Sequence, residues 1–224
     1  MKKYNKTIIA CRSVKTELEK VYNNQQNIKL VFMPQNLHRN PEKLTIRLQE
    51  TIDKEAELTD AIVLGYGLCS NGTAGLKAPS TGLIIPKIHD CITLYLGGER
   101  NYTRLFHQYP GTYFLTPNWI DNKKDPLGLV ENEYKQRVGF EMAKEAMETE
   151  IKNYNYIAFI NNKSEHEDYY RQRTQENAEY FNKDFVEFEG SMDLLTKIIE
   201  GPYDNENFVK VNPNEFSKQS QFLK

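Results

Sequence analysis

Asp60-Ala-Ile-Val-Leu-Gly65 opens the stretch DAIVLGYGLCSNGTAG, residues 60–75. Its four apolar residues, two of them β-branched, sit between an acidic residue and a glycine. A short continuous apolar run of this kind reads as a strand buried on both faces, which is the habit of a parallel sheet covered by helices. Gly65, Gly67, Gly72 and Gly75 follow, so the loop after this strand can bring its backbone close to other groups. Cys69 lies inside that loop.

The segments on either side repeat the pattern. Upstream, Leu44, Leu48, Ile52 and Ala56 recur at i, i+4 spacing and predict an amphipathic helix. Asn40 is placed as its N-cap and Pro41 as its first residue. Before it, residues 28–33 (IKLVFM) predict a strand stopped by Pro34. Residues 7–11 (TIIAC) predict the first strand, and Ser13 the cap of a helix bearing Val14, Leu18, Val21 and Tyr22. Downstream, strands are expected at 83–86 (LIIP), 112–115 (TYFL), 156–160 (YIAFI), 185–188 and 208–211. Helices are expected near 91–96, 101–109, 168–181 and after Ser191. A long helix is expected over 131–153, with Tyr134, Val138, Met142 and Met147 on one side.

Alternating strands and helices give an α/β fold, Rossmann-like, with a mostly parallel sheet and helices on both faces. The 224 residues suit one α/β domain over 1–216, or two lobes, 1–120 and 131–216, hinged at 121–130. Residues 217–224 are expected to form a flexible tail.

Composition narrows the function. The formal charge is −2, with 29 basic and 31 acidic residues, so there is no basic excess to neutralise phosphates and nucleic acid is not expected as a partner. No apolar run approaches the ~20 residues that span a bilayer, and the apolar part of the start is too short for a signal peptide. No membrane association and a cytoplasmic location are the expectations. Three cysteines are an odd number for a disulfide framework; they read as buried thiols, reactive thiols or metal ligands.

Their positions carry the functional reading. Cys11 ends the first predicted strand, Cys69 follows the third by four residues, and Cys91 follows the fourth by five. In an open parallel sheet all strand C-termini share one edge, where such folds bind ligands. Neighbouring strands lie about 4.8 Å apart, so three strand-end loops can gather three thiols. Each cysteine alone could equally be core filler. His89, in His89-Asp90-Cys91, is a fourth candidate ligand, or a strand-end histidine bonded to backbone. Thiolates suit an iron–sulfur cluster; imidazole with thiolate suits zinc. Asp90 could orient His89 or cap the next helix.

Gly67, Ser70, Asn71 and Gly72 could cradle an anion through backbone N–H groups, though the spacing matches neither dinucleotide nor P-loop fingerprints. His38 and Arg39, after the second strand, are candidates for holding an anionic substrate, and Trp119 for walling the pocket. No residue is assigned a catalytic role.

The segments AIVLGYGLCSNGT (61–73), LIIPKIHDCITLYLG (83–97) and PGTYFLTPNW (110–119) together resemble the domain-of-unknown-function family 1638. EGSMDLLTKIIEGPYD (189–204) and NFVKVNPNEF (207–216) resemble its C-terminal pattern, so the likeness runs from about Ile8 to Glu215. The resemblance implies a setting in anaerobic one-carbon metabolism, beside corrinoid-dependent methyltransferases. Three functions stay open. One is an iron–sulfur protein whose cluster has an open position for a small anionic or thiol substrate. Another is a zinc–thiolate methyltransferase-like enzyme using His89 and Cys91. The third is an accessory metal carrier for a corrinoid protein.

Overall fold

The structure is a computed structural model that describes residues 4–222. Among the described residues there are eight strands: β1 Lys6–Cys11, β2 Ile28–Met33, β3 Ile62–Gly65, β4 Leu83–Pro86, β5 Thr112–Leu115, β6 Tyr156–Asn161, β7 Asp184–Glu189 and β8 Phe208–Val211. The chain divides into two compact units, Met1–Glu99 with Ser191–Lys224, and Arg100–Gly190. The stretch 121–130 falls inside the second unit.

The first unit holds a five-stranded sheet in the order β2-β1-β3-β4-β8. β2, β1, β3 and β4 are parallel, and β8 closes the edge antiparallel to β4. The helix Pro41–Ala56 places Leu44, Leu48 and Ile52 in full burial with Ile9, Leu64 and Ile85 of the sheet. This is the predicted stripe, buried because 3.6-residue periodicity brings all three to one face. Asn40 caps that helix, its Oδ1 accepting from the Lys43 N–H at 2.9 Å. Asn40→Ala is expected to cost about 1 kcal/mol, read as a lower urea midpoint with an unchanged slope.

The second unit has its own three-stranded parallel sheet, β5-β6-β7. Sequence pattern identified these strands but could not show that they leave the first sheet. The predicted helix over 131–153 is broken. A π-helical turn at Val130–Tyr134 leads into Lys135–Val138, and Phe140–Glu150 follows Gly139, whose φ is +81°. That left-handed φ is incompatible with a continuous right-handed helix. The break scatters the expected apolar side: Met147 is buried, whereas Val138 and Met142 are exposed.

Of the stretch expected as a tail, Ser217 and Phe222 are buried in the first unit. Ser217 Oγ donates to the Thr73 carbonyl at 2.6 Å and accepts from the Leu76 N–H at 2.9 Å. Residues 223 and 224 lie outside the described residues. No helix among the described residues is long and apolar enough to cross a membrane.

Candidate functional site

The order β2-β1-β3-β4 places the topological switch point between β1 and β3. There the crossovers on either side diverge and leave a crevice at the strand C-termini. Cys11 is the last residue of β1, and Gly65 ends β3 beside it. Gly65 has no room for a side chain: a Cβ there would lie 2.6 Å from the Cβ of Ala10.

The loop after β3 runs alongside the loop after β4. The Leu68 N–H donates to the Ile88 carbonyl and the Cys69 N–H to the His89 carbonyl, both at 2.8 Å. Gly67 makes that approach possible, since a Cβ would meet Ile88 O at 2.8 Å and Asp90 N at 2.9 Å. Cys69, Ser70 and Asn71 then turn through three consecutive left-handed residues, with φ of 47°, 55° and 71°. Thr73 Oγ1 donates to the Gly67 carbonyl and Thr45 Oγ1 to the Gly72 carbonyl, each at 2.9 Å, which fastens the loop to the core. Asp90 caps the short helix Cys91–Tyr95, its Oδ1 accepting from the N–H groups of Ile92 and Thr93.

The three sulfurs thereby enter one electrostatic neighbourhood. Burial pushes the Cys69 thiol up to about 12, and the proximity of Cys11 and Asp90 adds to the rise. Burial raises Cys91 well above its ordinary value, with Asp90, Cys11 and Cys69 acting in the same direction. Cys11 is raised by burial, against hydrogen bonds from Ser13 and Tyr66. Its Sγ accepts from the Ser13 N–H at 3.5 Å. Burial holds all three thiols above their ordinary value, so each favours its neutral S–H form.

This has a kinetic signature. At pH 8 the native metal-free protein is expected to react with iodoacetamide at Cys69 about a thousandfold more slowly than the urea-unfolded chain, because only thiolate reacts. The rate should rise about tenfold per pH unit as the pH climbs toward 12. Stability carries the same sign. The unfolded thiol ionises near its ordinary 9.0 while native Cys69 holds its proton to about 12. Across that window the unfolded state is favoured by about 1.4 kcal/mol per pH unit. Stability is thus full below pH 9 and falls as pH rises.

The other predicted residues are placed as follows. The His89 ring is half-exposed with Nε2 3.7 Å from Glu99 Oε1. His38 and Arg39 are exposed on the 3-10 turn Gln35–Arg39 after β2, and His38 Nδ1 bonds the Gln35 carbonyl. Ser70 and Asn71 are exposed. Gly72 is buried, where a Cβ would lie 2.6 Å from Leu44 Cδ2. Trp119 belongs to the second unit, edge-on to Tyr113. Among the described residues no three His, Cys, Asp or Glu side chains gather closely enough to share one metal ion.

Three further residues shape the site. Ser13, expected as a helix cap, lies instead in the 3-10 turn Arg12–Val14, and the helix begins at Lys15. Ser13 is buried, and its N–H donates to the Cys11 sulfur. Tyr66 is 2% exposed and interacts with all three cysteines. Tyr95 donates its buried hydroxyl to the Ser13 carbonyl, tying the turn after Cys11 to the helix begun by Cys91. The available signals were slight: Tyr66 sits between two glycines, and Tyr95 stands one helical turn after Cys91.

No curated protein and no solved structure matches the chain. Cys69, Cys91 and the paired loops that carry them lie within residues 32–199, and Cys11 precedes that stretch. Residues 32–199 match the model of the family described as Protein of unknown function (DUF1638), and the chain belongs to that family.

Proposed function

We propose that this protein is a metal-binding protein in which Cys11, Cys69 and Cys91 hold an iron–sulfur cluster. The observation that carries the reading is that three thiols from three different strand ends are all raised by burial, with Cys11 adding to the rise of Cys69 and both adding to that of Cys91. Such an arrangement destabilises bare thiolates and is relieved by a bound cation, which soft sulfur ligands select from the thiophilic metals.

Cys11, Cys69 and Cys91 would hold the cluster, which when bound would supply Lewis-acid or sulfur-handling chemistry at an open position. The chain's own residues do the rest. The paired loops hold Cys69 and Cys91 in fixed relation, and the Ser13 N–H supports the Cys11 sulfur. The thiols release their protons on loading, so uptake is favoured by rising pH. A small anionic or thiol substrate fits an open iron. The family resemblance points to a corrinoid protein or methyltransferase as the partner.

The test is metal analysis. The protein is purified without oxygen, reconstituted with iron and sulfide, and assayed for iron, acid-labile sulfide, zinc and visible absorption. Brown protein with iron and sulfide in near-equal amounts supports the proposal. Colourless protein with one zinc and no sulfide supports the zinc–thiolate reading with His89 and Cys91 instead. Protein that stays metal-free after reconstitution overturns both.

A further inference from the structure

We infer that β2 pairs with β2 of a second copy of this chain, antiparallel across a two-fold axis, joining two five-stranded sheets into one; this holds whether or not the protein carries metal. β2 is the outermost strand of its sheet, and among the described residues no strand pairs with its outer side. The register shows which backbone groups face that side. Lys6 stands opposite Ile28, and its N–H donates to the Asn27 carbonyl, so Asn27, Lys29 and Val31 face β1. Ile28 faces outward: its N–H donates to the Gln25 carbonyl at 3.1 Å, and its carbonyl accepts from the Tyr22 hydroxyl at 2.9 Å. By the same alternation Leu30 and Phe32 turn their N–H and C=O groups outward, where a further strand would bond them.

Edge strands are normally blunted by charge, proline or a bulge, because a bare edge pairs with another chain. β7 ends the sheet of the second unit and is blunted by Asp184, Glu187 and Glu189, all exposed. β2 has no such protection. Its register with β1 runs unbroken from Ile28 to Met33, and five of its six residues are apolar. The sixth, Lys29, is drawn off the edge: its Nζ donates to both carboxylate oxygens of Glu55, at 2.8 and 2.7 Å.

Beside this edge lies a groove of about 670 Å³, with Ile28, Leu30 and Phe32 on the strand side and Lys15, Glu19 and Tyr22 on the helix side. Leu30 and Phe32 are half-buried, so an added strand would cover apolar side chains as well as bond backbone. The charges point to a second copy as its source. A two-fold contact is self-complementary: if residue i meets j, then j meets i. An axis normal to the sheet runs the two helices Lys15–Tyr22 antiparallel on the same face of the joined sheet. Lys15 and Glu19 stand one helical turn apart on that wall, with Nζ 3.7 Å from Oε1. Reversed in direction, this pair is its own complement, so each copy's Lys15 falls opposite the other copy's Glu19. A partner strand of a single charge would match only one of the two.

The test is the mass of the full chain in solution, by sedimentation velocity over a concentration series, with amide hydrogen exchange alongside. Wild-type protein is expected to sediment as a dimer and to protect the Leu30 and Phe32 amides as concentration rises. Leu30→Lys sets like charges against each other near the axis and should leave a monomer. Lys15→Glu or Glu19→Lys alone should weaken the dimer about tenfold, because each reversal puts like charges opposite at two symmetric places. The double variant Lys15→Glu/Glu19→Lys restores opposite signs and should recover the wild-type dimer. Both side chains are largely solvated, so these variants decide the question even where Leu30→Lys does not fold. Wild-type chain that stays monomeric at about 100 µM, where even a weak specific dimer forms, overturns the inference and leaves the groove to a different strand. A dimer whose strength ignores both single reversals, or one whose Leu30 and Phe32 amides stay open to exchange, overturns it as well.

Discussion

Under the proposed cluster reading, Cys69→Ser is expected to abolish metal uptake while leaving the fold in place. A thiolate would be the ligand, and a serine hydroxyl ionises far outside the working range, so one of the three proposed bonds to the cluster would be lost. Loss of an outer-shell partner alone typically weakens metal binding 10–100-fold, so loss of a direct ligand should lower bound iron by roughly tenfold or more at sub-saturating iron. The fold should tolerate the change. Cys69 is only half-buried, and its left-handed φ of 47° recurs at the next residue, which is already serine. Stability of the metal-free variant should stay within about 0.5 kcal/mol of wild type by urea unfolding. Cys91→Ser should behave alike for metal, with a larger stability change, because its thiol is set deeper at the start of a capped helix. Retention of full iron and sulfide by Cys69→Ser would remove this cysteine from the site. His89→Ala adds a further distinction: the zinc reading requires loss of metal, and the cluster reading requires iron content to stay.

Gly67→Ala is expected to lower stability and, under the proposed reading, metal uptake together. The new Cβ would sit 2.8 Å from the Ile88 carbonyl oxygen, 2.9 Å from the Asp90 nitrogen and 2.9 Å from Ile88 Cγ1. Two of those atoms are backbone and cannot swing aside. Relief requires the loops after β3 and β4 to separate, which strains the Leu68–Ile88 and Cys69–His89 hydrogen bonds. Overpacking of this kind costs about 1–3 kcal/mol. The same separation moves Cys69 away from Cys91, so metal loading should fall together with stability. Gly75→Ala, in the same loop, meets no atom within 4 Å, so loading should persist there despite the strain of φ +83°. Equal loading of the Gly67 and Gly75 variants would show that the close approach of the two loops does not hold the site together.

Much of the fold was legible in the sequence. The strands at 28–33, 83–86, 112–115 and 208–211 fall where the apolar runs place them. Leu44, Leu48 and Ile52 are buried as their spacing required. These features are local: a short apolar run or an i, i+4 stripe records which backbone geometry can hide it. The positions of Cys11, Cys69 and Cys91 at strand ends follow from the same reading, since all strand C-termini of a parallel sheet share an edge.

Contacts between distant segments left no such record. Nothing in residues 112–115, 156–161 and 184–189 distinguishes a strand of the first sheet from one of a separate sheet, because each run hides its apolar faces equally well in either. Gly139 is one glycine in a helical pattern, and whether it bends or breaks the helix depends on what its neighbours pack against. Ser13 looks like a cap because capping is the common local use of serine. The fold instead buries it in the turn after Cys11, where its N–H donates to the Cys11 sulfur. Tyr66 reads as another apolar loop residue until β1, β3 and β4 are set side by side. The chain's periodicity thus named the elements and put three cysteines on one edge. Packing across the switch point determined their neighbours, since a buried hydroxyl takes its partner from whatever segment the sheet brings alongside.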